Sequence, residues 1–147
     1  MVPIEDKKKQ LLQAAHHVFS QKGYKGANIA AIAKEAKIAV GSFYKYFDSK
    51  EEIFIEIYVT QNDLVRNKII QAINWEGVPA EVIDELFTYS IKYTSNNRIL
   101  GEWSNPTISE TLHSYYLTKK IAIIMPFINF WQKFSVKDFQ KRILTML

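Results

Sequence analysis

The chain has 147 residues, no cysteine, 48% apolar residues and 23% charged residues, which excludes disulfide scaffolds, thiolate metal sites and wholesale disorder. Five glycines and four prolines leave room for few turns and favour long helices over a many-stranded sheet. The net charge of +4 permits nucleic acid or an anionic membrane as partner without choosing between them.

No apolar run follows the three lysines of the N-terminus, so a secretory signal is not read there. Apolar positions Leu11, Leu12, Ala15, Val18 and Phe19 mark one face of a first helix over 6–22, closed by Gly23. A short loop over 24–27 leads to Asn28, a good N-cap. Ile29, Ile32, Ala33 and Ala36 follow at helical spacing and predict a short second helix. After a tight turn at 37–39, residues 40–47 predict a third helix rich in aromatics. Asp48 and Ser49 punctuate it, and either can cap a fourth helix that begins with Lys50, Glu51 and Glu52.

The fourth helix has no glycine or proline until Gly77, so it reads as about 35 Å long at 1.5 Å per residue. Pro79 starts a fifth helix with Val82, Ile83, Leu86, Phe87, Ser90 and Tyr93 on one face. A polar loop at 94–97 precedes a short helix over 98–103. Residues 107–134 read as a helix kinked near Pro126, and a last apolar pattern begins after Ser135. The longest apolar stretch, 121–131, is about half of the ~20 residues that a membrane span requires. No strand survives this pass, so the fold class is all-α and the expectation is a soluble cytoplasmic protein.

The charge is uneven. Between residues 7 and 50 there are nine lysines against Glu35 and Asp48, a net +7, which leaves −3 for the rest. Two short helices joined by a tight turn inside this basic segment describe a helix-turn-helix. Short amphipathic helices in unrelated bundles share that periodicity. Phe43 and Phe47, four apart, would face the core. Tyr44 and Lys45 would reach phosphate or base edges, and Gly41 and Ser42 are small enough to let backbone approach DNA.

The stretch from Asn28 to Ile53 resembles the signature of the TetR/AcrR (tetracycline-repressor) family of transcriptional regulators. Ile32, Ala33 and Ala36 match its second helix. Gly41, Ser42, Phe43, Tyr44, Tyr46 and Phe47 match its recognition helix, and Ser49, Lys50, Glu51 and Ile53 match the start of its fourth helix. The resemblance covers about residues 8–58. It implies a helix-turn-helix domain over 1–49, joined by the long fourth helix to a helical effector-binding and dimerisation bundle over 50–147. It implies a homodimeric repressor of double-stranded operator DNA, released by a small apolar or aromatic effector. The sequence has no nucleophile elbow, phosphate-cradling glycine loop or HExxH motif, so no enzymatic activity is expected, and neither a cofactor, a metal nor a membrane partner is expected. Carried over position by position, the resemblance assigns DNA contacts to Asn28, Val40, Gly41, Ser42, Tyr44, Lys45 and Lys50. Ala30 stands where some members place a base-reading arginine.

Two positions depart from the family pattern. Lys37 replaces a turn glycine, at a cost of about 1 kcal/mol if the backbone there has positive φ. Ala39 replaces a serine cap, at a cost of about 0.5–2 kcal/mol. They keep alive an alternative, an all-α module that binds a protein partner or membrane surface without reading DNA sequence.

Twelve aromatics lie from Trp75 onward, mostly explained by core packing. The family's effector pocket falls in this part, and Tyr89, Tyr93, Trp103, Tyr115 and Trp131 are the candidate lining. Eight basic and seven acidic residues there, a net +1, argue against a strongly charged ligand. His16 and His17 have no acid or histidine at i±4, which argues against a metal site. Family members run a few tens of residues longer and end in two dimerising helices, so the resemblance implies a bundle incomplete at its C-terminal end.

Overall fold

The computed structural model describes residues 4–118, and the side chains of residues 6–116. The expected kink at Pro126, the last apolar pattern and Trp131 lie outside them. The described residues form α-helices and one 3-10 turn, in agreement with the all-α expectation.

Helix α1 spans Ile4–Gly26 but breaks at Gly23, whose φ of 70° is open to glycine and strained for other residues. The expected loop at 24–27 therefore begins as a final turn after this break. Helix α2 spans Ile29–Glu35, and Asn28 caps it by accepting the Ala31 N–H on Oδ1 at 2.8 Å. Helix α3 spans only Val40–Phe43, shorter than the 40–47 read from its aromatics. Ala39 offers no side-chain cap, and beyond Phe43 the chain tightens into i→i+3 bonds: Lys45 N–H to Ser42 O and Tyr46 N–H to Phe43 O.

Helix α4 spans Lys50–Ala72, and Ser49 Oγ caps it by accepting the Glu52 N–H at 3.1 Å. The Glu52 carboxylate reaches back to the Asp48 N–H at 2.6 Å, so donors on both sides of the cap are satisfied. Helix α5 spans Pro79–Thr94, with proline in its first turn as the sequence requires. Helix α6 spans Arg98–Gly101 and passes into a 3-10 turn at Glu102–Ser104, and α7 spans Pro106–Thr118.

One core runs through the described residues. Leu11, Ala15 and Phe19 of α1 meet Ile32 and Ala36 of the second helix, Phe43 and Phe47, and Ile53, Phe54 and Ile57 of α4. Ile99, Leu100, Ile108 and Leu112 extend it toward α6 and α7. The Phe19 and Phe54 rings meet edge to face at 4.8 Å. A satellite cluster of Ile73 and Val82 joins the end of α4 to α5. No helix of the described residues is long and apolar enough to cross a membrane.

Candidate nucleic-acid interface

The packing of α3 decides which of its side chains are free. Phe43 and Phe47 are buried, so the opposite side of the helix and of the turn after it faces outward. Val40, Gly41, Tyr44 and Lys45 are exposed there, and Ser42 is half-buried. Tyr44 is 54% exposed, with its ring held edge to face against Phe43 at 5.5 Å. A Cβ added to Gly41 would meet nothing within 4 Å. The glycine is not demanded by the protein's own packing.

The surrounding charge is positive and largely uncommitted. Lys34, Lys37 and Lys45 are exposed and form no ion pair among the described residues. Lys37 sits at φ 55°, the left-handed backbone that its turn position required. Two lysines of the basic segment are engaged within the fold. Lys8 pairs with Glu56 at 3.0 Å and lies over the Phe47 ring. Lys50 donates to the carbonyls of Tyr24 at 2.8 Å and Ala27 at 3.0 Å. Asn28, exposed at the start of α2, spends Oδ1 on its cap. His17 lies 4.0 Å from Glu35, an acid brought near by the α1–α2 packing. Among the described residues no group of three His, Asp or Glu side chains is placed to hold a metal ion.

The α1–α2 loop is gripped from a second side that the sequence did not signal. Glu102 Oε1 accepts the Tyr24 N–H at 2.9 Å, and Arg98 donates to the Gln21 carbonyl. These partners are separated by 78 and 77 residues, beyond the reach of any local pattern.

The aromatic candidates of the second half are dispersed. Tyr89 and Tyr93 stack on α5 with ring centroids 6.1 Å apart. Trp103 is 66% exposed in the 3-10 turn. Tyr115 meets Tyr116 edge to face on α7. Tyr116 accepts the Asn62 amide at 2.7 Å, and burial pushes its phenol above the ordinary range.

Residues 11–57 match the tetR family of bacterial regulatory proteins. The HTH-type transcriptional regulator YhgD of Bacillus subtilis is 39% identical over 67 residues, which is 46% of this chain and 35% of the relative. The HTH-type transcriptional repressor KstR of Mycolicibacterium smegmatis is 25% identical over 97 residues, 66% of this chain and 48% of the relative. The matches thus span from about a fifth to about a half of the curated relatives' own length. A solved structure from Mesorhizobium loti, described as a TetR-family regulator, superposes with a TM-score of 0.64 at 21% identity. That superposition covers 90% of this chain and 70% of the other and shows a shared fold.

Proposed function

We propose that this chain, whose residues 11–57 match the tetR family of bacterial regulatory proteins, is a DNA-binding transcriptional regulator, a repressor of operator DNA. The observation that carries the reading is the division of α3. Its buried phenylalanine anchors the helix, while Val40, Gly41, Tyr44 and Lys45 form a free surface with open space over Gly41. Tyr44 and Lys45 supply polar contacts to phosphate or base edges, Gly41 and Ser42 supply close backbone approach, and Asn28 and Lys50 flank them as phosphate partners.

In this reading, residues 1–49 are the DNA-binding domain and residues 50–147 carry effector binding and dimerisation. The protein acts in the cytoplasm as a homodimer. Its two recognition helices enter successive major grooves of a palindromic site, with half-sites about 34–36 Å apart or a multiple of that. The stacked rings of Tyr89 and Tyr93 on α5 are the support for a small effector with apolar or aromatic parts. Release requires that the effector bind one conformer better than the other. Helix α4 is the element that would transmit the change, because it carries both Lys50 and the cluster that meets α5.

A gel-shift titration with the DNA upstream of the protein's own gene, at fixed salt, tests the reading. The expected result is a discrete complex that survives excess random competitor. Equal displacement by random DNA and by the cognate fragment would sink it.

A further inference from the structure

Where α1, α4 and the turn between α5 and α6 meet, the surface forms an open cavity of about 350 Å3. Its lining includes His16 and Ser20 of α1, Gln61 of α4, and Lys92, Tyr93, Asn96 and Arg98 around the α5–α6 turn. Among the described residues two fixed cations line it and no carboxylate does. Neither Lys92 nor Arg98 forms an ion pair with any described residue.

The other polar groups of the lining leave donors over. Lys92 stands 5.9 and 5.7 Å from the Tyr89 and Tyr93 ring centres, contacts that hold the ammonium at the cavity without neutralising it. Arg98 spends one arm of its guanidinium on the Gln21 carbonyl, and the rest of the fork is uncommitted among the described residues. Asn97 caps α6 with Oδ1 and donates its amide to Gln61 Oε1 at 3.3 Å. The Gln61 N–H groups are left as donors. The side chains of His16, Ser20 and Asn96 form no hydrogen bond with the described residues.

A concave surface with two unpaired cations and several neutral donors complements an oxyanion. A guanidinium fork matches the two oxygens of a carboxylate or phosphate, and a lysine adds a point charge. An apolar occupant would displace water from these half-buried and exposed donors without replacing its hydrogen bonds, and a cation would be repelled. The volume lies at the small end of ligand sites, which run from about 300 to 1,000 Å3.

We propose that this cavity binds a small organic oxyanion, a carboxylate or a phosphate ester, with Arg98 and Lys92 as its charge partners and Gln61 and Ser20 as neutral donors. The site bridges α1, on which α2 packs, to the α5–α6 turn, so an occupant ties these elements together. Nothing in this assignment depends on DNA reading, and its test contains no DNA.

The test is isothermal titration of the full chain with succinate and, separately, with glycerol 3-phosphate, at constant ionic strength in chloride. Saturable binding of at least one probe is expected, and which one binds identifies the oxyanion. Lys92→Gln and Arg98→Gln should each weaken binding about tenfold, equal to about 1.4 kcal/mol. Because Arg98→Gln also loosens the hold on Gln21, Lys92→Gln is the deciding variant, checked for an unchanged helical spectrum. Lys68→Gln, at an exposed position of α4 outside the cavity, should leave binding intact. The proposal is overturned by no saturable heat with either probe up to about 10 mM, a concentration set well above the millimolar limit of weak binding. It is equally overturned if Lys68→Gln weakens binding as much as Lys92→Gln does.

Discussion

The Lys50 ammonium donates to the Tyr24 carbonyl at 2.8 Å and stands 4.2 Å from the centre of the Tyr24 ring. A second bond, to the Ala27 carbonyl, makes Lys50 the anchor of the α1–α2 loop from the first turn of α4. Lys50→Met keeps the apolar stem and removes the bonds. It should destabilise the fold by about 1–3 kcal/mol, read from urea unfolding. If the ammonium's third N–H also meets a phosphate, the slope of log affinity against log salt falls by about 0.9 in the same variant. An unchanged slope with reduced stability would leave Lys50 as a loop anchor alone.

Lys37 occupies φ 55°, a conformation that costs a non-glycine residue about 1 kcal/mol. Lys37→Gly should raise stability by roughly that amount, a shift of a few degrees in Tm. The same change removes an exposed cation from the turn before α3, so affinity for DNA should fall. The two readouts move in opposite directions. A variant that loses both stability and DNA binding would contradict the assignment of strain at this turn.

What the sequence made legible is what is decided within three or four residues. Asn28 announces its cap, Asp48 and Ser49 announce a cap that Ser49 fills, Pro79 announces a helix start, and the spacing of Phe43 and Phe47 announces two inward rings. Helix α3 is shorter than its aromatic periodicity, which continues past Phe43, implies. The backbone, uncapped at Ala39, tightens into a turn there instead. The clasp of Arg98 and Glu102 on the 21–24 segment was not legible, since nothing local links residues 77 and 78 positions apart. The net +1 of the second half is a sum, and a sum does not report local placement. It averages over acids elsewhere, while folding sets Lys92 and Arg98 beside one cavity that none of those acids lines.

Tyr58 is buried, and that burial, followed by the nearby Tyr116 phenol, pushes its pKa up to about 12. An unfolded phenol titrates near 10. The folded state therefore holds the proton more tightly. Its stabilising contribution is complete below about pH 10 and is lost as pH rises through about 12. Tyr116 and Tyr24 are shifted in the same direction, so alkaline unfolding is shared among three phenols. Tyr58→Phe should leave neutral-pH stability within about 1 kcal/mol and raise the pH midpoint of alkaline unfolding. Helical signal followed against pH, beside tyrosinate absorbance, measures it. An unmoved midpoint would mean that Tyr58 does not drive the transition.

Gly41 distinguishes a helix built for its own fold from one built for an external partner. It lies inside α3 at a helical position, where glycine is less favourable than alanine by roughly 0.5–1 kcal/mol. Space does not explain the choice, because an added Cβ meets nothing within 4 Å. The fold alone would therefore gain from a methyl group here. If Gly41 is instead retained so that the α3 backbone can approach DNA, Gly41→Ala should raise stability by about 0.5–1 kcal/mol while weakening operator binding. Gly41→Val should weaken it further, because the branched side chain projects into the same open space. Denaturation curves and gel-shift titrations on the same samples give both numbers. Alanine and valine variants that bind operator as well as the parent would place the DNA-facing surface elsewhere than over Gly41.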